Sequence, residues 1–180
     1  VFGAQLARIR RGQCAGTSRQ PDLQSEADAG RIDAQAAAMV VDTFTHANQA
    51  IYHAAHNKSQ FQGMGTTVVI TLFRDNVVTI AHAGDSRLYR LRNDKLEQLT
   101  TDHSLLQEQV QLGLITAEDA RVSHNRNLVT RALGVNQTLA VDIRQERAQP
   151  GDIYLLCSDG LNDMVDDADI ELAMVSIKEN

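Results

Sequence analysis

From Ile32 onward, apolar residues recur at intervals of three or four: Ile32, Ala36, Val40, Phe44, Ala47, Ile51 and Ala54. That period predicts one long amphipathic helix ending near Asn57, whose stripe needs a sheet or another helix to cover it. After Gly63–Gly65, TTVVITLF and NVVTIAHA are apolar at nearly every position and flank Arg74 and Asp75, which predicts a hairpin of interior strands covered on both faces. GDSR then turns into LYRL and NDK into LEQL, continuing an antiparallel meander. Ser104 is placed to cap a helix through LLQEQVQLG, and Thr116 opens TAEDA with acidic residues in its first turn. Two more strands, LAVDIRQE and DIYLLCS, are joined by Pro150 and Gly151, and DADIELAMVSIKEN closes the chain as a helix.

Residues 1–30 show no consistent period and carry four arginines among scattered Gly, Ser and Gln, so they are expected to form loop, an atypical segment not native to the fold. Residues 31–180 are expected to make one domain, without repeat or internal linker. Strands bounded by helices, with hairpins and no crossover helices between them, predict an α+β architecture with helices packed on layered antiparallel sheet.

Charge and cysteine content narrow the function. A formal net charge of −6 argues against nucleic acid, which needs a basic face. No run reaches the length of a membrane-spanning helix, and QLARIRRGQ lacks the apolar stretch of a secretory signal. Cys14 and Cys157 are too few for a disulfide framework or zinc cluster, so the reducing cytoplasm is the expected setting.

Three places set an aspartate against small residues at the edge of an apolar run: AHAGDSR, LTTDHS and LCSDGLND. Any one alone reads as turn chemistry. If Asp85 and Asp159 lie at the same end of adjacent strands, however, their carboxylates converge and repulsion demands a cation or a shared proton. Hard divalent cations such as Mg²⁺ and Mn²⁺ choose oxygen ligands, so metal-assisted hydrolysis is the expected chemistry. His82 reads as a core histidine, and His103 and His124 lack the paired spacing of zinc sites. Ser86 and Ser158 lack a nucleophile elbow, while Arg87 and Arg131 are open to either phosphate binding or pairing with structural carboxylates.

Five strings in order, GMGTT (63–67), AHAGDSRLYR (81–90), LTTDHS (99–104), NLVTRALG (127–134) and GDIYLLCSDGLNDMV (151–165), resemble the PP2C-like, or PPM, family of metal-dependent protein Ser/Thr phosphatases, in particular its bacterial branch. The resemblance covers roughly residues 31–180. It implies an αββα sandwich of two antiparallel sheets between helices, with strands missing at both termini. It further implies Mn²⁺ or Mg²⁺ at a two- or three-ion site, and hydrolysis of phosphoserine and phosphothreonine by a metal-activated water. By the same resemblance Asp159 is a core metal ligand, Asp85 belongs to an additional weaker metal, and Gly84, Ser86 and Gly160 support the site. The region from Leu105 to Arg126 is the flap, mobile near Ser123 and His124. The implied partners are phosphorylated proteins, substrates of a bacterial Ser/Thr kinase.

The chain also departs from that pattern. The family's Arg and Asn-Glu-Asp segment, its Asp-Gly-Met-Gly-Gly strand and its Gly-Arg-Asp-Asn segment have no counterpart in these residues. An incomplete or frame-disturbed copy is therefore expected, with weakened metal binding because Asp85 and Asp159 alone bring two negative charges to two divalent ions. The alternative to an enzyme is a catalytically impaired phosphatase-like module that binds or regulates a partner.

Overall fold

The computed structural model describes residues 4–8, 33–123 and 128–179. Two antiparallel sheets lie face to face. One contains β1 (Ala4–Arg8), β7 (Ile153–Cys157), β4 (Arg87–Arg92) and β5 (Lys95–Gln98), in that order. The other contains β2 (Val68–Arg74), β3 (Val77–Ala83) and β6 (Asp142–Arg147). Helix α1 (Ala34–Asn57) covers the three-stranded sheet, and α5 (Asp167–Glu179) covers the other. The short helices α2 (Leu105–Gln111), α3 (Ala117–Val122) and α4 (Asp159–Asn162) lie between strands.

The period-2 geometry of each strand divides its side chains between layers. On β7, Ile153, Leu155 and Cys157 join Tyr89, Leu91, Ile170 and Met174 under α5, while Tyr154 joins Val78, Ile80 and Leu88 between the sheets. Val40 and Phe44 of α1 pack on Ala81, Ala83 and Leu133, the stripe that the helical period predicts. The long helix starts where Asp33 accepts a hydrogen bond from the Ala36 amide. Ser104 and Thr116 cap α2 and α3 as expected, Thr116 through a full capping box with Asp119.

Four expectations need correction. Ala4–Arg8 is a strand paired with β7 from Ala4 opposite Cys157 to Arg8 opposite Ile153, although residues 1–30 read as loop. Five residues give too short a pattern to register, and the pairing comes from the open edge of a buried strand. The remainder of that segment lies outside the described residues. The β2–β3 turn is Asp75–Asn76, both at positive φ (48° and 65°), one residue later than Arg74–Asp75. This is the conformation of a tight two-residue hairpin turn, in which Asn and Asp are the best-tolerated residues after glycine.

Of the two hairpin strands β3 is buried from Val78 onward, whereas β2 is half-buried and ends exposed at Phe73 and Arg74. Its other side has no neighbouring strand among the described residues. Finally, GDSR does not continue a meander. It carries the chain from the three-stranded sheet to the four-stranded one, so β3 and β4 are not paired.

Candidate metal-binding cleft

The crossing at GDSR places the site. In the β4–β7 ladder Arg87 stands opposite Cys157. Asp85 precedes Arg87 by two residues and Asp159 follows Cys157 by two, so both emerge at the same end of two adjacent strands. The chain then turns at once into α4, and the four-residue step from Asp159 to Asp163 sets both carboxylates on one face of a helical turn. The Asp163 amide donates to the Asp159 carbonyl at 2.8 Å. Gly160 lies within that turn.

These aspartates open into a cleft of ≈ 770 Å³, walled on its far side by α2 and α3 of the flap region, including Leu106, Val110 and Glu118. Among the described residues its lining holds the carboxylates of Asp85, Asp102, Glu118, Asp159, Asp163, Asp166 and Asp167 against one cation, Arg87. That cation is already committed. Arg87 Nε donates to both Asp102 oxygens at 3.0 Å and Nη2 to Oδ2 at 2.7 Å, while Nη1 donates to the Tyr89 hydroxyl at 2.9 Å. Tyr89 in turn donates to Asp167 at 3.0 Å. Burial alone would lower the Arg87 pKa, but Asp102 more than reverses it and holds the guanidinium charged.

Asp85, Asp159 and Asp163 have no side-chain hydrogen bond or ion pair with other described residues. Burial raises the Asp85 pKa, a bond to its own amide opposes this, and Asp159, Asp102 and Asp163 raise it further. A half-buried carboxyl repelled by three others is an arrangement completed by a cation, and all its donors are oxygens, which suits Mg²⁺ or Mn²⁺.

The supporting residues are built for close approach. Gly84 has φ +115°, and a Cβ there would come within 2.3 Å of Thr67 Cγ2, so only glycine fits. Ser86 is buried and shares a 2.9 Å hydrogen bond with Thr67 Oγ1. Gly84→Ala should destabilise the fold by roughly 2–3 kcal/mol through strain and overlap, readable as a lower urea midpoint at unchanged m value. A loss under about 0.5 kcal/mol, the size of an ordinary surface change, would mean that this turn relaxes freely.

Ser123 is the residue that ends α3, its amide donating to the Ala120 carbonyl at 3.3 Å, whereas His124 lies outside the described residues. Arg87 and Arg131 both take the structural alternative, pairing with Asp102 and with Asp142 respectively.

A second group, His82, His103 and Asp142, brings three potential ligand atoms within 4.8 Å of one another. It is not arranged for an ion. The two imidazoles stack at 4.5 Å with planes 10° apart, so their in-plane lone pairs cannot converge on one point. His82 Nε2 also donates to the Thr101 carbonyl at 2.8 Å, consistent with a satisfied core histidine.

Sequence reasoning did not anticipate the contribution of Asp163, though its four-residue spacing from Asp159 was there to use. Asn48 had no such signal. Buried on α1, it accepts from the Gly134 amide and donates to the Asn136 and Gln137 carbonyls at 3.0 and 3.1 Å, pinning the loop of the NLVTRALG motif.

The acidic cleft thus lies at one end of an αββα sandwich. The model of the family Protein phosphatase 2C matches residues 3–177, and the chain belongs to that family. It is 43% identical over 129 residues to the serine/threonine phosphatase stp of Listeria innocua, a match covering 72% of this chain and 51% of that protein. The serine/threonine protein phosphatase PstP of Mycobacterium tuberculosis is 41% identical over 123 residues, covering 68% of this chain and 24% of PstP. Against the Listeria and streptococcal relatives the chain spans about half their length.

Among solved structures, Stp1 from Staphylococcus aureus superposes with a TM-score of 0.74 at 34% identity, over 85% of this chain and 61% of that one. The catalytic domain of PstP in complex with two manganese ions gives 0.71 at 34%, over 84% and 63%.

Proposed function

We propose that this chain carries the metal-binding core of a protein Ser/Thr phosphatase, with Asp159 and Asp163 on one helical turn and Asp85 opposite them as ligands for Mn²⁺ or Mg²⁺. The observation that carries this reading is the set of three carboxylates without a partner among the described residues, one with a raised pKa, crowded into a cleft where the cation Arg87 is already held by Asp102. Family membership supports it, as does the manganese reported for PstP.

When bound, such ions activate water and screen the phosphoryl oxygens. The chain's own part is to hold three oxygen donors at one strand end and to keep Arg87 away from the phosphate by binding it to Asp102. The flap helices α2 and α3 form the wall against which a phosphorylated segment lies. The expected substrates are phosphoserine and phosphothreonine proteins made by a bacterial Ser/Thr kinase, in the cytoplasm. No helix among the described residues is long and apolar enough to cross a membrane.

The test is phosphate release from a phosphothreonine peptide by the 180-residue chain, with Mn²⁺ and with chelator. Turnover that appears with Mn²⁺ and vanishes with chelator is the expected result. A folded chain that binds Mn²⁺ and phosphopeptide without turnover would instead be the binding or regulatory module. That alternative gains weight from the residues of β1, whose sequence AQLAR brings no carboxylate to the sheet.

A further inference from the structure

His103 sits where three parts of the molecule meet. Its amide donates to the Gly84 carbonyl at 3.0 Å, and the Gly84 amide donates back to His103 Nδ1 at 3.1 Å. Its own carbonyl accepts from the Thr130 amide at 2.8 Å, on the chain leaving the flap. Nε2 stands 3.2 Å from Asp142 Oδ2 on β6, yet out of line for a hydrogen bond. The flanking residues are equally committed. Asp102 binds Arg87, and Ser104 caps α2 and bridges to Val129.

An imidazole that accepts at Nδ1 carries its proton on Nε2, so the ring is neutral. Burial lowers the His103 pKa, and its stacked neighbour His82 and Arg131 act in the same direction against Asp142. The Gly84 amide is buried with this nitrogen as its acceptor. Among the described residues no other acceptor binds this amide, which belongs to the residue directly before Asp85.

We propose that His103 is a positioning residue for the metal-binding cleft: its Nδ1 holds the Gly84 amide and its own amide holds the Gly84 carbonyl, which together fix the residue directly before Asp85 and tie it to both ends of the flap. The proposal rests on the metal reading of Asp85 given above. It also assigns a role to the LTTDHS motif that neither turn chemistry nor metal ligation supplies.

Two substitutions in the 180-residue chain separate this role from general packing. His103→Asn keeps an acceptor near the Nδ1 position and loses the Nε2 end, whereas His103→Leu removes both. Amide exchange at Gly84, read by ¹⁵N NMR without metal, should quicken roughly tenfold in His103→Leu, as expected for a lost buried hydrogen bond, and stay near wild type in His103→Asn. Mn²⁺ affinity, read by titration calorimetry, should fall by about tenfold in His103→Leu and by less than about twofold in His103→Asn, the scale of groups that orient ligands.

A purely structural role would lower the melting temperature in both variants without ordering them this way. Equal Gly84 exchange in all three proteins would overturn the proposal, as would unchanged Mn²⁺ affinity in His103→Leu. If the wild-type chain binds no Mn²⁺ while Gly84 exchange follows the expected order, the metal reading of the cleft fails and His103 remains only an anchor of the turn.

Discussion

Replacing Asp159 by asparagine should abolish the stabilisation of this protein by Mn²⁺. With the ion at about a hundred times its dissociation constant, binding to the folded state alone contributes ~2.7 kcal/mol, a rise in Tm of roughly 5–10 °C for a chain of this size. Asp159 is central to the cleft, next to Asp85 across the strand pair and one helical turn from Asp163. Groups that merely orient ligands cost 10- to 100-fold in affinity, so losing a ligand should weaken Mn²⁺ binding and hydrolysis by at least about 100-fold.

The apo variant provides the internal control. Asp159 is one of the charges that raise the Asp85 pKa. A carboxyl raised above its unfolded value favours the fold at low pH, and that contribution disappears as pH rises through the folded value. Asp159→Asn lowers the folded value, so the metal-free protein should be as stable as wild type or slightly more so at neutral pH. Calorimetric melts with and without Mn²⁺ read both effects. An undiminished Mn²⁺ shift would remove Asp159 from the metal site, and a large loss of apo stability would make it a structural residue.

Much of this was legible because the relevant signals are local. A seven-residue apolar stripe at helical spacing identified α1, and capping residues marked α2 and α3. Asp-containing strings at apolar strand ends identified Asp85 and Asp159. What escaped notice was decided by tertiary pairing. The five-residue β1 takes its conformation from the edge of β7. The switch of sheets at GDSR leaves no trace in alternation, since β3 and β4 are both largely buried. The same limit applies to Arg87 and Arg131, each compatible with phosphate or with a carboxylate until Asp102 and Asp142 are seen beside them.

The strand that delivers Asp159 is anchored at its other end by a buried charge, and breaking that anchor should have the largest effect on stability. Asp152 is 1% exposed and accepts from Arg92 Nε at 2.8 Å and Nη2 at 2.6 Å, with further donors in the Gln149 amide and the Tyr154 hydroxyl. Burial raises the Asp152 pKa, but Arg92 and the Gln149 amide outweigh it, and the net shift is downward. Arg92→Leu leaves this carboxylate largely uncompensated, at a cost of about 3–5 kcal/mol at pH 7.

The pH dependence has a definite sign. A depressed carboxylate pKa contributes stability that is full above the unfolded value near 3.9 and is lost as pH falls through the lower folded value. The gap between wild type and Arg92→Leu should therefore be widest at neutral pH and close below about pH 4, where the stranded carboxyl in the variant takes up a proton. Urea unfolding at both pH values measures the gap. The double variant Arg92→Leu, Asp152→Asn removes the buried charge while keeping an acceptor for the Gln149 amide, and should recover much of the loss. A deficit under about 1 kcal/mol at pH 7, the level of an exposed pair, would mean that Gln149 and Tyr154 alone hold the charge, and that β7 reaches the cleft without the arginine.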